Sequence, residues 1–353
     1  MPKVRGSVSA PPIKVLLAIR VDPHQVARIA AVSPRLVVTY RPELLPADGL
    51  AGAVPAGDTG TGVTSPEDAS PWRDLLAEAE VMLGFDWEDP GKLLERAPRL
   101  RWVQADSAGI GEFVAAHGLA DQRLRLTTAS GVHGQPIGEY VLAGMLHFAK
   151  RFPDLAEWKT AREWRPYTPV ELAGSEVLVI GMGAIGRTVA QLCAAVGMRV
   201  TGLRRTGGPP PPGVSHILTR AELDACLPDF PFVVLAAPLT PQTHHLLDRS
   251  RIERLRRGAV VINVGRGALI DDDALVTALA GGDLGGAVLD VFETEPLPPG
   301  SPLWSLPNVV ITAHSCGAVA EEPDRVVDVF IDNLGRYVSG RSLRNLYQAD
   351  RGY

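Results

Sequence analysis

The chain has 353 residues, a formal net charge of −5 and 46% hydrophobic residues, which is enough for two domains with cores of their own. Acidic and basic residues are interspersed without a basic stripe, which argues against a nucleic-acid partner. No apolar run approaches the ~20 residues of a membrane span, so no membrane partner is expected. Cys193, Cys226 and Cys316 are odd in number and lack metal-ligand spacing. We therefore predict no metal and a reducing, cytoplasmic location.

The first part of the sequence alternates strand patterns with helix patterns. Strands are predicted over residues 13–19, 35–40, 81–85, 100–104 and 124–127, and helices over residues 71–78, 91–97 and 110–117. Such alternation indicates a parallel sheet. Residues 1–12 are expected to form a flexible tail, and residues 46–70 a long surface loop.

The segment ADSAGIG, residues 105–111, follows the predicted strand at 100–104. Ligands of open α/β sheets bind beyond the carboxyl ends of strands. Backbone N–H groups here could therefore hold a carboxylate, and an ordinary strand-to-helix loop is the alternative. The residues concerned are Ser107, Ala108, Gly109 and Ile110.

A strongly apolar helix is predicted from near Pro136 to Arg151. Its apolar face is broader than a surface helix needs, which suggests burial between domains or in a dimer interface. His133, just before it, and His147, within it, are more typical of structural histidines, although His133 lies near the expected domain junction.

The central motif is G-x-G-x-x-G at Gly181, Gly183 and Gly186, between a strand at 176–180 and a helix at 187–196. The first glycine permits a tight turn, the second lets the backbone approach a pyrophosphate, and the third brings helix and strand together. N–H groups of the helix start, around Ala184 and Ile185, would face the phosphates. A structural turn and a methyltransferase loop are the alternatives.

The next strand, residues 199–203, ends in Arg204, Arg205 and Thr206. An acidic residue at this position would bind the ribose hydroxyl of NAD, whereas arginine accommodates a 2′-phosphate. We therefore predict that NADPH is preferred, with NADH possible.

Further strands are predicted over residues 232–236, 259–263, 287–289 and 309–312, with a helix over 274–279. Charged groups follow three of these strands. Arg266, Asp290, Glu295 and His314 are expected to converge where a nicotinamide would lie. His244 and His245 follow the first strand of this set and are interpreted as a solvated pair without a metal partner.

Reduction of a carbonyl by hydride needs a cation for the substrate and a proton source. Arg266 can bind a carboxylate bidentately, and His314 exchanges protons near neutral pH. Glu295, if hydrogen-bonded to His314, would raise the pKa of the imidazole.

The motifs GMGAIGRTVA, VGRGALIDDDAL, GGAVLDVFETEPLP and PNVVITAHSCG resemble the D-isomer-specific 2-hydroxyacid dehydrogenases over residues 100–318. The resemblance implies that Arg266 binds substrate, Glu295 supports His314, and His314 is the acid/base. It also implies that Asp290 contacts the nicotinamide carboxamide and that the backbone at residues 107–110 binds the substrate carboxylate. Pro238, Val264 and Gly317 complete the predicted cofactor site.

The same resemblance implies a Rossmann dinucleotide-binding domain, residues 129–317, inserted into a flavodoxin-like substrate domain, residues 1–128 and 318–353. A homodimer formed through the cofactor domain is also implied. The chain departs from the family pattern at Gly111, where Asp is common, at Ala313, where Pro is usual, and at Arg204.

The predicted activity is NADPH-preferring reduction of small 2-keto acids, of the glyoxylate and hydroxypyruvate type, to D-2-hydroxy acids. The alternative is a catalytically silent nucleotide-sensing or corepressor-like protein of the same fold.

Overall fold

A computed structural model describes residues 11–46, 71–205 and 207–349. The predicted tail and the predicted loop over 46–70 lie almost wholly outside these residues. The strands are β1 Ile13–Leu17, β2 Leu36–Tyr40, β3 Val81–Leu83, β4 Trp102–Gln104, β5 Arg125–Thr127, β6 Glu176–Ile180, β7 Arg199–Leu203, β8 His216–Leu218, β9 Phe232–Leu235, β10 Val260–Asn263, β11 Gly286–Leu289 and β12 Val309–Ile311. The helices are α1 Pro23–Ala30, α2 Pro71–Glu78, α3 Leu93–Arg96, α4 Gly111–Ala116, α5 Gly134–Ala149, α6 Phe152–Ala161, α7 Ala184–Ala195, α8 Leu223–Cys226, α9 Arg249–Ile252, α10 Asp272–Ala280 and α11 Glu322–Val338.

The chain divides into two compact units. One comprises Met1–Val132 and Ala320–Tyr353, and the other comprises His133–Val319. The predicted boundaries, after residues 128 and 317, fall slightly earlier in the chain.

The first unit contains a parallel five-stranded sheet in the order β2-β1-β3-β4-β5, which is the flavodoxin-like order. Apolar clusters cover both faces of the sheet. Helix α11 returns to this unit, where buried Asn333 donates its amide N–H to Gln104 Oε1 at 3.1 Å. Asn333 Oδ1 accepts the backbone N–H of Arg344 at 2.8 Å, so one buried amide joins the helix, the sheet and the C-terminal segment.

The second unit is a Rossmann domain. Its seven parallel strands have the order β8-β7-β6-β9-β10-β11-β12, the doubly wound pattern with one added strand. Every residue of β9, β10 and β11 is buried, as expected for strands covered on both faces. Because the strands are parallel, their carboxyl ends meet along one edge of the sheet.

The broad apolar face of α5 packs inside its own unit. Ile137, Val141 and Met145 belong to the cluster that covers one face of the Rossmann sheet. Added Cβ atoms at Gly138 and Gly144 would lie 2.7 Å from Leu192 and 2.9 Å from Val288, so the helix sits directly on its neighbours. These contacts bury part of the apolar face of α5 within its own unit, and Leu142, Leu146 and Phe148 stay partly buried.

Five elements were not predicted from the sequence: α1, α6, α8, α9 and β8. Helices α8 and α9 have only four residues each. Helix α1 does carry a local signal, a capping box in which Asp22 and Gln25 cap each other reciprocally. Helix α6 buries no residue and so has no apolar stripe to detect. Strand β8 has only three residues and begins shortly after a proline-rich loop.

Candidate active site

The glycine turn joins β6 to α7 and can be shaped this way only by glycine. Gly181 has a φ of 99°, and an added Cβ there would lie 2.6 Å from the backbone of Ala237. A Cβ on Gly186 would lie 1.8 Å from the Gly181 carbonyl oxygen. At Gly183, by contrast, an added Cβ would meet no heavy atom within 4 Å. The turn therefore closes on itself and leaves open space at Gly183, just before the α7 N–H groups at Ala184 and Ile185.

The loop after β7 wraps around Arg204. Its Nη2 donates to the carbonyl of Pro209 at 3.2 Å, and Gly208, at a φ of 131°, lets the chain pass close to the guanidinium. Arg204 Nε is buried and has no hydrogen-bond partner among the described residues. Arg205 is exposed, and Thr206 lies outside the described residues.

Strands β9 and β10 end side by side. Pro238, exposed after β9, has its carbonyl bound by the Thr243 hydroxyl at 2.7 Å. Val264, which directly follows β10, is 5% exposed and part of the core. Of the two, only Pro238 is open to solvent.

Arg266 is held by the residue that ends β10. The buried Asn263 side chain donates to the Arg266 carbonyl at 2.9 Å and accepts the Gly265 N–H at 3.1 Å. A Cβ on Gly267 would lie 1.8 Å from the Phe292 carbonyl carbon, so this loop sits directly against the loop after β11. The guanidinium itself donates to the Gly265 carbonyl at 2.8 Å.

Glu295 and His314 form the predicted hydrogen bond. His314 Nδ1 lies 2.9 Å from Glu295 Oε2, and Glu295 Oε1 accepts the Phe292 N–H at 3.0 Å. The hydrogen bond to Glu295 raises the pKa of His314 above its usual value, although burial and the charge of Arg266 oppose this. Burial alone would raise the pKa of Glu295, but its hydrogen bonds and the positive charges of His314 and Arg266 outweigh burial and lower it. Arg266, Glu295 and His314 therefore act on one another electrostatically.

Asp290, directly after β11, is buried at 2% exposure. Its Oδ1 accepts three hydrogen bonds, from the Thr312 hydroxyl at 2.6 Å, Ser315 N–H at 2.9 Å and Cys316 N–H at 3.0 Å. Its backbone carbonyl accepts the N–H of His314 at 2.8 Å. One residue thus organises the whole loop after β12.

Gly317 closes that loop against the start of α5. A Cβ on Gly317 would lie 3.2 Å from the ring of His133. His133 directly precedes α5 and packs beside Gly317.

The predicted substrate loop belongs to the other unit. It precedes α4, and Ile110, the N-cap residue of α4, is buried at 2% exposure. The Ser107 carbonyl accepts the Ala129 N–H at 2.9 Å. Ala108 is half-buried and Gly109 exposed. The exposed or half-exposed part of this loop is therefore Ser107, Ala108 and Gly109, whereas Ile110 is buried as a whole residue.

A model of the NAD-binding domain of D-isomer specific 2-hydroxyacid dehydrogenases matches residues 142–316. Glyoxylate/hydroxypyruvate reductase B of Pectobacterium carotovorum is 35% identical over 286 residues, which cover 79% of this chain and 89% of that protein. The chain belongs to the D-isomer specific 2-hydroxyacid dehydrogenase family.

Solved structures of family members share the fold. A D-isomer specific 2-hydroxyacid dehydrogenase from Xanthobacter autotrophicus, in complex with NADPH and MES, is 30% identical with a TM-score of 0.78, and the match covers 98% of this chain and all of that one. An NADPH-dependent glyoxylate/hydroxypyruvate reductase from Sinorhizobium meliloti, in complex with NADP and sulfate, is 27% identical with a TM-score of 0.75 and covers 97% of this chain and all of that one. The family assignment therefore extends over both units.

Sequence reasoning missed the acidic neighbour of the histidine pair, His244 and His245. Glu293 lies 3.4 Å from His245, and its ligand atom and those of His244 and His245 lie within 4.8 Å of one another. In a tetrahedral zinc site with bonds of about 2.1 Å, neighbouring ligand atoms lie about 3.4 Å apart. A separation of up to 4.8 Å is therefore wider than such a site requires. Burial, followed by the charge of Glu293, raises the pKa of nearby Asp272 to about 6. The histidine pair is therefore part of a charged cluster rather than merely solvated.

None of the described helices is long and apolar enough to cross a bilayer. All three cysteines are free thiols.

Proposed function

We propose that this protein is an NADPH-preferring reductase of small 2-keto acids, of the glyoxylate and hydroxypyruvate type, and that it forms D-2-hydroxy acids. The observation that carries the proposal is the 2.9 Å hydrogen bond between His314 and Glu295 in the field of Arg266. The relative from Pectobacterium carries the same activity in its name, which supports the substrate class.

Arg266 is proposed to bind the substrate carboxylate and polarise the neighbouring carbonyl. A guanidinium has five N–H donors, enough for the bond to the Gly265 carbonyl and a bidentate carboxylate. The Asn263 clamp fixes the Arg266 backbone, so the cation is positioned before substrate arrives. Backbone N–H groups of residues 107–110 are proposed to bind the same carboxylate, as the family resemblance implies.

His314 is proposed to protonate the carbonyl oxygen. When bound, the reduced nicotinamide supplies a hydride to the carbonyl carbon. Because Nδ1–H donates to Glu295, Nε2 is the atom that delivers the proton, and the product is an alcohol. The His314 side chain is 43% exposed, so water can restore the proton after each turnover.

The glycine turn and Arg204 fit a phosphorylated dinucleotide. Open space at Gly183 admits a pyrophosphate to the N-terminus of α7. Among the residues that the structure describes, the buried Nε of Arg204 is a donor without an acceptor, and a 2′-phosphate would supply one. Arg205 and Thr206 are proposed to assist. Pro238, Val264, Asp290 and Gly317 are proposed to line the nicotinamide end.

We further propose a cytoplasmic homodimer. Free thiols suit a reducing compartment. The second unit exposes the large apolar side chains of Phe152, Trp164 and Val170, which are 51%, 94% and 58% exposed. A second copy would cover such side chains, and light scattering of the purified protein would measure the mass directly.

Initial rates of NADPH and NADH oxidation with glyoxylate, hydroxypyruvate, pyruvate and a bulky aromatic keto acid test the function. We expect rapid NADPH oxidation with one or both of the first two substrates and a lower kcat/KM with NADH. Binding of NADPH without reduction of any keto acid would overturn the proposed reaction and favour the nucleotide-sensing alternative.

A further inference from the structure

A chain of hydrogen bonds runs from α5 to the buried carboxylate of Asp290. The Tyr140 hydroxyl lies 2.8 Å from Thr312 Oγ1, and Thr312 Oγ1 lies 2.6 Å from Asp290 Oδ1. Tyr140 is on α5, Thr312 directly follows β12, and Asp290 directly follows β11. Three separate elements therefore meet through side-chain oxygens.

The direction of the chain follows from counting protons. An ionised carboxylate only accepts hydrogen bonds, so the single hydroxyl proton of Thr312 points to Asp290. Thr312 Oγ1 must then accept from Tyr140, which makes the phenol the donor that begins the chain. Burial raises the pKa of Tyr140 to about 12, so the phenol keeps this proton at neutral pH.

The loop after β12 holds Asp290 chiefly through one oxygen, Oδ1, and the Cys316 thiol is also hydrogen-bonded to the carboxylate. Oδ1 accepts hydrogen bonds from the Thr312 hydroxyl and from the N–H groups of Ser315 and Cys316, at 2.6 to 3.0 Å. A carboxylate oxygen has two lone pairs, so Oδ2 retains capacity for a further donor. The direction of Oδ2 is therefore set by the partners of Oδ1.

We propose that Tyr140 and Thr312 are positioning residues that aim Asp290 Oδ2 at the amide N–H of the nicotinamide carboxamide. The inference rests on the proposed function for the identity of the cofactor. It adds that recognition of the carboxamide depends on a phenol of α5 that acts through Thr312 and Asp290.

The test compares NADPH with its reduced 3-acetylpyridine analogue, in which a methyl group replaces the amide nitrogen. Tyr140→Phe removes only the first donor, and Thr312→Val removes the hydroxyl that reaches Asp290. Dissociation constants come from fluorescence titration without any keto acid. We expect Tyr140→Phe to weaken NADPH binding roughly 3- to 10-fold, the scale of one hydrogen bond, and to leave binding of the analogue within about twofold.

Two further variants control for structure. Thr312→Ser keeps the hydroxyl and should bind NADPH like the wild type. If Thr312→Val does not fold, Tyr140→Phe still decides the proposal. Tyr337→Phe removes another half-buried phenol, the one that donates to Glu80 at 2.7 Å in the first unit, and should change neither constant.

Equal weakening of NADPH and analogue binding in Tyr140→Phe would show a merely structural role and overturn the proposal, as would unchanged binding of both. The outcome is separate from the proposed reaction. A wild-type protein that binds NADPH but reduces no keto acid would defeat the reductase proposal, and the two dissociation constants would still decide the role of Tyr140.

Discussion

Glu295 holds His314 with one carboxylate oxygen and its own loop with the other. Oε2 lies 2.9 Å from His314 Nδ1, and Oε1 accepts the N–H of Phe292 at 3.0 Å. Rotation of the carboxylate would break both bonds, so the imidazole is oriented by the backbone of the β11 loop. Glu295 therefore fixes the orientation of the His314 ring as well as supplying a negative charge beside it.

Glu295→Gln should shift the pH dependence of keto-acid reduction. Reduction needs protonated His314, so the rate falls as pH rises through the pKa of the imidazole. Glu295 raises that pKa, Arg266 lowers it and Asp290 raises it. The amide removes the largest raising contribution, and the descending limb should move to lower pH. Profiles of kcat/KM against pH for the wild type and the variant measure the shift, and a shift to higher pH would contradict the assignment.

His314→Ala should lower kcat by roughly 10²-fold or more, the scale of general acid catalysis. The side chain is 43% exposed and lies in the loop after β12, so its removal leaves no core cavity. Thermal unfolding should consequently change little. His216→Ala, at an exposed histidine on β8, is the matched control and should keep wild-type turnover. Near-normal kcat in His314→Ala would remove the acid role from this residue.

Arg204→Asp should change the cofactor preference from NADPH towards NADH. The substitution removes the guanidinium, including the buried Nε donor, and places a carboxylate where a ribose hydroxyl can bind it. Arg205→Asp is the comparison, because Arg205 is exposed and its effect should be smaller. The ratio of kcat/KM for the two cofactors is the measurement. An unchanged ratio in both variants would place the phosphate site elsewhere.

Much of the fold and of the candidate site could be predicted because their signals are local. The glycine spacing, the buried strand runs and the charged residues after strands are read directly along the chain. The hydrogen bonds from Tyr140 through Thr312 to Asp290 could not be predicted from the sequence. Tyr140 and Thr312 are 172 residues apart, and Thr312 and Asp290 are 22 residues apart. The contact of Glu293 with His245 spans 48 residues and is equally invisible.

The expected role of α5 shows a different limit. Its apolar pattern correctly predicted burial but could not identify what covers the helix. The structure answers this with Thr188 and Leu192 on α7 and Val288 on β11, all within the same unit. The periodicity of apolar residues thus predicts which face of a helix is buried, whereas the elements that cover this face are known only from the structure.

Gly183→Ala and Gly186→Ala should separate cofactor binding from folding. At Gly186 the new methyl would lie 1.8 Å from the Gly181 carbonyl oxygen, which is impossible without backbone movement. Overpacking of this kind typically costs about 1–3 kcal/mol, so this variant should unfold at lower denaturant concentration. At Gly183 the methyl meets no protein atom within 4 Å, so unfolding should stay close to that of the wild type.

The same methyl at Gly183 occupies the space into which a pyrophosphate would approach the α7 N-terminus, so NADPH affinity should fall at least tenfold although the protein folds normally. Urea unfolding and fluorescence titration of NADPH measure the two effects independently. Wild-type NADPH affinity in Gly183→Ala would mean that the phosphates bind away from this turn. Because Gly186→Ala is expected to lose both properties and Gly183→Ala only one, the pair distinguishes a binding site from a structural turn.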